Sequence, residues 1–251
     1  MDRELGVFGI PELDAELSAV LPSGWLMLLV SPTGSASQLF AKQFANAGAE
    51  SMPVLYYTTY ERTVEVERVF RDQGWDPTAI KIINLAEEYY DRVLIRNLEI
   101  SRARERGLRL ADLKAETPEN LIPMTFNLSS RILGDLSQID APFRLVLDSL
   151  DFLLEVLEPS QAIAVARQIT YRAQTLGGHA LLLVHSGVHA QRTIGLLEDM
   201  ADLVAEIRSN ATPDGFATVL SLQKIRNHPE RAKDVAVRLG DHGFALADSE
   251  T

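Results

Sequence analysis

The chain has 251 residues, no cysteine and a formal net charge of −11, with 46% hydrophobic and 24% charged residues. This composition is typical of a globular protein that buries a full core without cross-links. The lack of cysteine excludes disulfides, thiolate metal ligands and cysteine nucleophiles, and the negative charge argues against sequence-independent binding to nucleic acid.

Short apolar runs alternate with helical segments through most of the chain. Near-continuous Leu/Val strands between helices indicate a mainly parallel sheet covered on both faces, which is an α/β fold. The predicted order is strand Trp25–Val30, helix 36–49, strand Val54–Thr58, helix 64–73, strand Ile80–Ile83, helix 87–106, helix 128–139, strand Arg144–Leu147, helix 160–176 and strand Ala180–Val184.

The C-terminal part has a different pattern. Short strand candidates at Leu203–Arg208, Ala217–Lys224 and Asp234–Leu239 are separated by the turn sequences PDG and NHP, which predicts antiparallel strands at the sheet edge. Residues 107–127 are the best candidate for a long surface insertion. Because no repeat or interdomain linker is evident, we expect residues 1–251 to form a single domain.

Location follows from what the sequence lacks. The first residues, MDRELGVFGI, have no apolar stretch of the kind found in secretory signals. No apolar run approaches the ~20 residues that span a bilayer. We therefore expect a cytoplasmic protein without membrane insertion.

The segment SPTGSASQ, residues 31–38, lies between the first strand and its helix, where a phosphate-binding loop would be placed. Such a loop needs the pattern G-x-x-x-x-G-K-[ST]. Its backbone N–H groups surround the phosphates, its lysine contacts the terminal phosphates, and its Ser/Thr hydroxyl binds Mg²⁺. Ser31 takes the first glycine position and Ala36 the last, while Ser37 replaces the lysine and Gln38 the Ser/Thr. Taken alone, the segment is more typical of an N-capped helix start.

Two acidic residues follow neighbouring strand candidates. Asp148 ends the apolar run RLVL, where the acid of a phosphate-loop ATPase orients Mg²⁺ or its water. Glu61 follows the strand VLYYT, where a carboxylate could polarise an attacking water. The alternatives are a turn-capping Asp148 and an ordinary helix start at Glu61.

These motifs together resemble the KaiC-like ATPases of the RecA superfamily. The similar stretches are GIPELDAELSAVLPSGWLMLLVSPTGS at the start, YTTYERTVEVERVFRDQGWD at residues 57–76, RLVLDSL, and LQKIRN. They occur in the family's order over nearly the whole chain. The resemblance implies a RecA-like three-layer α/β/α fold with antiparallel C-terminal edge strands.

The resemblance also implies roles for individual residues. Glu61 falls on the first of the family's two catalytic glutamates and is expected to be a vestigial general base, while Arg62 replaces the second. Asp148 falls on the metal-orienting acid. The nucleotide-contacting segment would comprise Thr33, Gly34, Ser35, Ala36, Ser37 and Gln38, together with Asp148.

Lys224 and Arg226 fall on a pair that, in the family's rings, reaches the γ-phosphate bound by the neighbouring subunit. In that role they would act in trans across a subunit interface. The alternative is a basic edge strand that discourages strand pairing.

The departures from the family's loop predict lost or very slow hydrolysis and weakened binding of Mg-ATP or Mg-ADP. Lys42 is not expected to replace the loop lysine, because it lies more than one helical turn further along. The favoured hypothesis is a pseudo-ATPase that acts as a regulatory or assembly subunit, as a homo-oligomer or in a mixed ring with an intact KaiC-like paralogue. The alternatives are an atypical ATP-binding switch or slow ATPase, and a DNA-recombination accessory protein.

The histidines are not expected to form a metal site. His185 and His189 are four residues apart, but His185 follows the strand ALLLV, so helical geometry is not predicted there. Their position is where RecA relatives place a γ-phosphate-sensing residue, which makes His185 or Ser186 a possible nucleotide contact. The favoured interpretation is that they are ordinary strand-end residues.

Overall fold

The computed structural model describes residues 7–106, 127–212 and 215–247. Within these ranges no helix combines the length and the apolar character that crossing a membrane requires. The elements are α1 (Pro11–Ser18), β1 (Trp25–Ser31), α2 (Ser37–Asn46), β2 (Val54–Thr58), α3 (Thr63–Asp72), β3 (Ile80–Asn84), α4 (Leu85–Glu105), α5 (Leu128–Ser137), β4 (Arg144–Asp148), α6 (Asp151–Val156), α7 (Pro159–Leu176), β5 (His179–His185), α8 (Gln191–Met200), β6 (Leu203–Thr212), β7 (Gly215–Ile225), β8 (Lys233–Gly240) and β9 (Gly243–Leu246).

The strands form one nine-stranded sheet in the order β3-β2-β4-β5-β1-β6-β7-β8-β9. Neighbours from β3 to β6 pair in parallel. Strands β7, β8 and β9 add antiparallel pairs at one edge. This topology confirms the predicted α/β class, with a mainly parallel sheet and antiparallel C-terminal strands.

Each face of the sheet carries its own hydrophobic core. Alternate residues of β1 point to opposite faces: Trp25, Met27 and Leu29 pack with the side chains of α1, α2 and α3. Leu26 and Leu28 pack instead with those of α5, α6, α7 and α8. Burial on both faces explains why the strand sequences are continuously apolar, and it confirms the three-layer α/β/α architecture.

The strands and long helices agree with the sequence prediction to within a few residues, but several short elements were missed. These are α1, α6, α8 and β9, which have 8, 6, 10 and 4 residues. The segments α1, α6 and β9 are too short to carry a clear periodicity. Helix α8 is as long as α2 and α3, so its length does not explain why the sequence prediction missed it. Of the predicted insertion 107–127, only Asn127 lies among the described residues, where its side chain accepts a hydrogen bond from Ser130 N at the start of α5. The predicted turn at Pro213 and Asp214 also lies outside them.

Candidate functional site

Four parallel strands bring the candidate residues other than Lys224 and Arg226 to one edge of the sheet. Strands β2, β4, β5 and β1 are consecutive neighbours, so their carboxyl ends lie side by side. Thr58 is in register with Asp148, and Ser31 with His185. The carboxyl edge of a parallel sheet is where ligands bind in open α/β folds.

The loop after β1 keeps part of a phosphate-binding backbone. Gly34 has φ +80°, a left-handed conformation that suits glycine, and the space around it is open. The loop is fastened by a hydrogen bond from Ser35 N to the carbonyl of Pro32. Helix α2 begins at Ser37 after the N-cap residue Ala36, which makes no side-chain capping bond. The first N–H groups of α2 have no intrahelical acceptors, so they are available at this end of the helix.

The side chains of the loop supply no positive charge. Ser37, in the lysine position, is buried, and its Oγ accepts a hydrogen bond from Ser35 Oγ at 3.0 Å. Gln38, in the Ser/Thr position, has an amide in place of a hydroxyl. Thr33 and Gly34 are exposed, while Ser35, Ala36 and Gln38 are half-buried. The nucleotide-contacting role of this segment stays a prediction.

The lysine of α2, Lys42, contacts the carboxylates of Glu61 and Asp148 instead of the loop. Lys42 lies five residues after Ser37, which turns its side chain about 140° around the helix axis. Its side chain is 2% exposed, and Nζ lies 2.8 Å from Glu61 Oε2 and 3.8 Å from Asp148 Oδ2. It also lies 5.7 Å from the centroid of the Tyr56 ring. No sequence pattern predicted this arrangement, although a lysine among the apolar residues of α2 was the available signal.

Asp148 is the most deeply buried carboxylate of the site. Its Oδ2 accepts a hydrogen bond of 2.5 Å from the Tyr56 hydroxyl, while its Oδ1 is buried without a hydrogen-bond partner. Burial raises the pKa of Asp148, and the Lys42 ammonium and the Tyr56 hydroxyl oppose that rise. A carboxylate in this position depends on a nearby cation to stay ionised.

Glu61 lies in the segment between β2 and α3. Its N–H donates to Thr58 Oγ1, and its carbonyl accepts from Asn84 Nδ2 at 3.2 Å. The neighbouring Arg62 points away and pairs with Glu65 at 2.6 Å on the exposed face of α3. The site therefore brings Glu61 and Asp148 together around Lys42, and the position of the family's second glutamate carries no carboxylate.

Asp151 joins the two histidines that follow β5. Its carboxylate is buried and contacts His185 Nδ1 at 2.6 Å and His189 Nε2 at 2.7 Å. It also accepts a hydrogen bond from the backbone N–H of His185. These histidines are thus more than ordinary strand-end residues, because one carboxylate orients both rings. The sequence signal was Asp151, three residues after Asp148, together with the spacing of the two histidines.

Lys224 lies near the end of β7 and Arg226 directly follows that strand, and both contact the C-terminal end of α8. Lys224 Nζ donates to the carbonyl of Glu198 at 2.7 Å, and Arg226 Nη2 donates to that of Met200 at 2.7 Å. Arg226 Nε also pairs with the buried Asp202 at 2.7 Å. Both cations therefore satisfy carbonyl groups that the end of α8 leaves without intrahelical partners. Their contact with a neighbouring subunit stays a prediction.

The donor set does not fit Mg-ATP in the manner expected of a phosphate-loop ATPase. Magnesium takes six oxygen ligands, often one or two carboxylates with waters and phosphate oxygens. Here Asp148 Oδ1 is buried and has no hydrogen-bond partner, but Lys42 lies against Glu61 and Asp148, and Gln38 offers no hydroxyl. Throughout residues 7–106, 127–212 and 215–247, no group of three or more His, Asp or Glu side chains is placed to hold a metal ion.

Comparison with known proteins places these observations in context. The family model described as the KaiC ATPase matches residues 7–250. The crystal structure of the KaiC-like protein PH0186 from the hyperthermophilic archaeon Pyrococcus horikoshii OT3 superposes with a TM-score of 0.62 at 20% sequence identity. The match covers 98% of this chain and 99% of that one, and it shows that the two share a fold. No curated protein matches the chain.

Proposed function

Because the chain belongs to the KaiC-like ATPase family, we propose that it is a member that does not hydrolyse ATP and acts as a regulatory or assembly subunit. The observation that carries this proposal is Ser37, which is buried and hydrogen-bonded to Ser35 in the lysine position of the loop. The proposal treats residues 1–251 as one RecA/KaiC-like domain acting in the cytoplasm.

Phosphoryl transfer in this superfamily depends on fixed positive charge near the transferred group. Little covalent chemistry is left to the protein, so positioning and electrostatic stabilisation supply most of the catalysis. A serine at position 37 and a glutamine at position 38 remove the loop cation and the hydroxyl that would hold Mg²⁺. Lys42 does not replace them, since its ammonium is engaged 2.8 Å from Glu61.

The test is calorimetric titration of the purified protein with Mg-ATP and Mg-ADP, combined with an assay of phosphate release. We expect no saturable binding up to millimolar nucleotide and no release above the protein-free rate. Multiple turnovers by the wild-type protein would contradict the proposal. A sample with Glu61→Gln separates intrinsic release from a contaminating ATPase, because a contaminant would be unaffected by the change.

A second candidate is an ATP-binding switch, and the retained backbone of the loop favours it. Gly34 in its left-handed conformation and the free N–H groups at the start of α2 could still bind an anion. Micromolar binding of nucleotide without turnover would favour this switch over a subunit that binds none.

A mixed ring would give Lys224 and Arg226 a role on an intact paralogue. The pair lies partly exposed at the end of α8, so a neighbour's phosphate could compete for their hydrogen bonds. Adding the protein to such a paralogue should raise its ATPase rate, and Lys224→Ala should remove the increase. An unchanged rate on mixing, or an undiminished increase with the variant, would exclude the trans-acting role.

A further inference from the structure

The centre of the site contains the buried Lys42 ammonium and the buried Asp148 carboxylate, together with the Glu61 carboxylate, whose side chain is 28% exposed. Glu61 and Asp148 face the same Lys42 Nζ, at 2.8 and 3.8 Å. The Lys42 side chain is 2% exposed and that of Asp148 is 3% exposed, so neither exchanges its partner freely for water. Lysine is rarely buried to this degree unless it is paired, because removing its charge from water is costly.

One ammonium does not saturate this carboxylate pair. Asp148 Oδ2 accepts from the Tyr56 hydroxyl, but Asp148 Oδ1 remains buried without a hydrogen-bond partner. Hard divalent cations prefer oxygen ligands, carboxylates among them, and this site offers two carboxylates, one of which has an oxygen without a partner. Such an ion is nevertheless disfavoured while Lys42 lies between the two groups, because it would meet a fixed positive charge at close range.

The other charged groups nearby are already engaged. Asp151 contacts His185 and His189, so both of its oxygens have partners. His185 ends β5, the strand next to β4 in the sheet, which places it at the border of the same site. Lys42 is therefore the cation in direct contact with both Glu61 and Asp148.

We infer that the Lys42 ammonium is a resident cation of the Glu61–Asp148 pair and keeps this pair closed to divalent ions. The lysine of this chain thus does what a metal would otherwise do, which is to neutralise the two carboxylates. This inference deepens the proposed function and rests on it for the role of the site. The two can fail separately, since one is tested by phosphate release and the other by cation binding without nucleotide.

The experiment measures binding of Tb³⁺ and Mn²⁺ to the full chain without nucleotide. Tyrosine-sensitised Tb³⁺ emission is suited to the site because Tyr56 is hydrogen-bonded to Asp148. Lys42→Met removes the charge and keeps an unbranched side chain. We expect it to bind either ion at least about tenfold more tightly than the wild-type protein, since cation affinity follows the net charge of the ligands.

Two further variants make the result specific. Lys42→Met combined with Asp148→Asn should lose the gained binding, because one of the two carboxylates becomes neutral. Lys81→Met is the matched control, since Lys81 pairs with Asp135 at an exposed position, and it should bind as the wild type does. Equal affinity in the wild type and in Lys42→Met, or a gain that persists with Asp148→Asn, would overturn the inference.

A folding defect in Lys42→Met is also informative. If the defect arises from unneutralised carboxylates, Mn²⁺ should raise the melting temperature of this variant and leave that of the wild type unchanged. The triple change Lys42→Met, Glu61→Gln, Asp148→Asn should then fold without added cation. If the triple variant also fails to fold, Lys42 acts through packing and the inference is wrong.

Discussion

Two buried cations lie at opposite ends of the same strand and have different partners. Arg144 begins β4, and Lys42 contacts Asp148, which ends it. The Arg144 guanidinium is fully buried, donates to the carbonyls of Phe44 and Val7, and stacks 4.5 Å from the Phe44 ring. Backbone carbonyls and an aromatic ring are thus among the groups that contact the Arg144 charge, whereas the Lys42 charge pairs with two carboxylates.

This difference distinguishes Arg144, a buried cation with a structural role, from Lys42, a buried cation that pairs with carboxylates of the candidate site. Burial lowers the pKa of Arg144 to about 9, and the nearby Asp14 opposes that change. The Arg144 carbonyl partners come from the N-terminal segment and from α2, so it joins these elements to the sheet. Lys42 joins Glu61 and Asp148, to which the family resemblance assigns the roles of a vestigial general base and a metal-orienting acid. The partners of a buried cation, more than its burial, indicate its role.

The largest expected effect is a loss of folding stability when Arg144, at the start of β4, is replaced. Arg144→Ala leaves the carbonyls of Phe44 and Val7 without their donor and opens a cavity, so we expect a loss of about 4 kcal/mol. Urea unfolding followed by tryptophan fluorescence measures it. Lys81→Ala, which removes a cation from an exposed pair, is the control, with a loss below about 1 kcal/mol. Similar losses in the two variants would contradict a structural role for Arg144.

Replacing Lys42, at the other end of β4, should lower the folding stability by an amount that depends on pH. Lys42→Met should cost about 3 kcal/mol at neutral pH, because two carboxylates lose their cation. Burial already raises the pKa of Asp148, and removing Lys42 raises it further. A carboxyl group with a raised folded pKa loses its stabilisation as the pH rises through that value, so the deficit should shrink on acidification. A deficit that is the same at each pH would contradict this account.

The contribution of His179 to folding stability, at the start of β5, should depend on pH with the opposite sign. Burial, followed by the charge of Arg144, lowers the pKa of His179 to about 3. The unfolded chain takes up a proton near its ordinary value of about 6.5 while the folded chain does not, so stability should fall by about 2 kcal/mol between pH 8 and pH 5. His179→Gln should remove this component. The exposed His242→Gln should keep it, and a flat wild-type profile would refute the assignment.

The smallest effect is expected at Arg226, which binds carbonyl groups as Arg144 does but is partly exposed. Arg226→Ala removes its hydrogen bonds to the end of α8 and its pair with Asp202. Because Asp202 keeps its hydrogen bonds from Leu26 N and Gln174 Nε2, we expect a cost of about 1 kcal/mol. Thermal unfolding measures the change, with the exposed Arg238→Ala as the control. An unchanged melting temperature would mean that Arg226 does not stabilise α8.

The sequence predicted the fold well because its strands are buried on both faces. The runs WLMLLV and RLVLD could be placed without a structure, and so could the carboxyl edge where Glu61 and Asp148 meet. The partner of these residues could not be predicted. Lys42 was expected only not to serve the loop, since no pattern states which strand end a helical side chain will face. The contact of Asp151 with two histidines likewise depends on the α6 turn, which is too short for a periodic signal.

The central claim is that the site lacks the loop cation and that Lys42 neutralises its two carboxylates. Phosphate release by four proteins tests this claim most directly. The proteins are the wild type, Ser37→Lys with Gln38→Thr, Lys42→Met, and the combination of all three changes, each assayed with Mg-ATP. We expect release above background only from the combination, because it alone restores the loop cation and frees Glu61 and Asp148 for Mg²⁺. Release by the wild type, or equal release by the loop-repaired protein with Lys42 in place, would contradict the account.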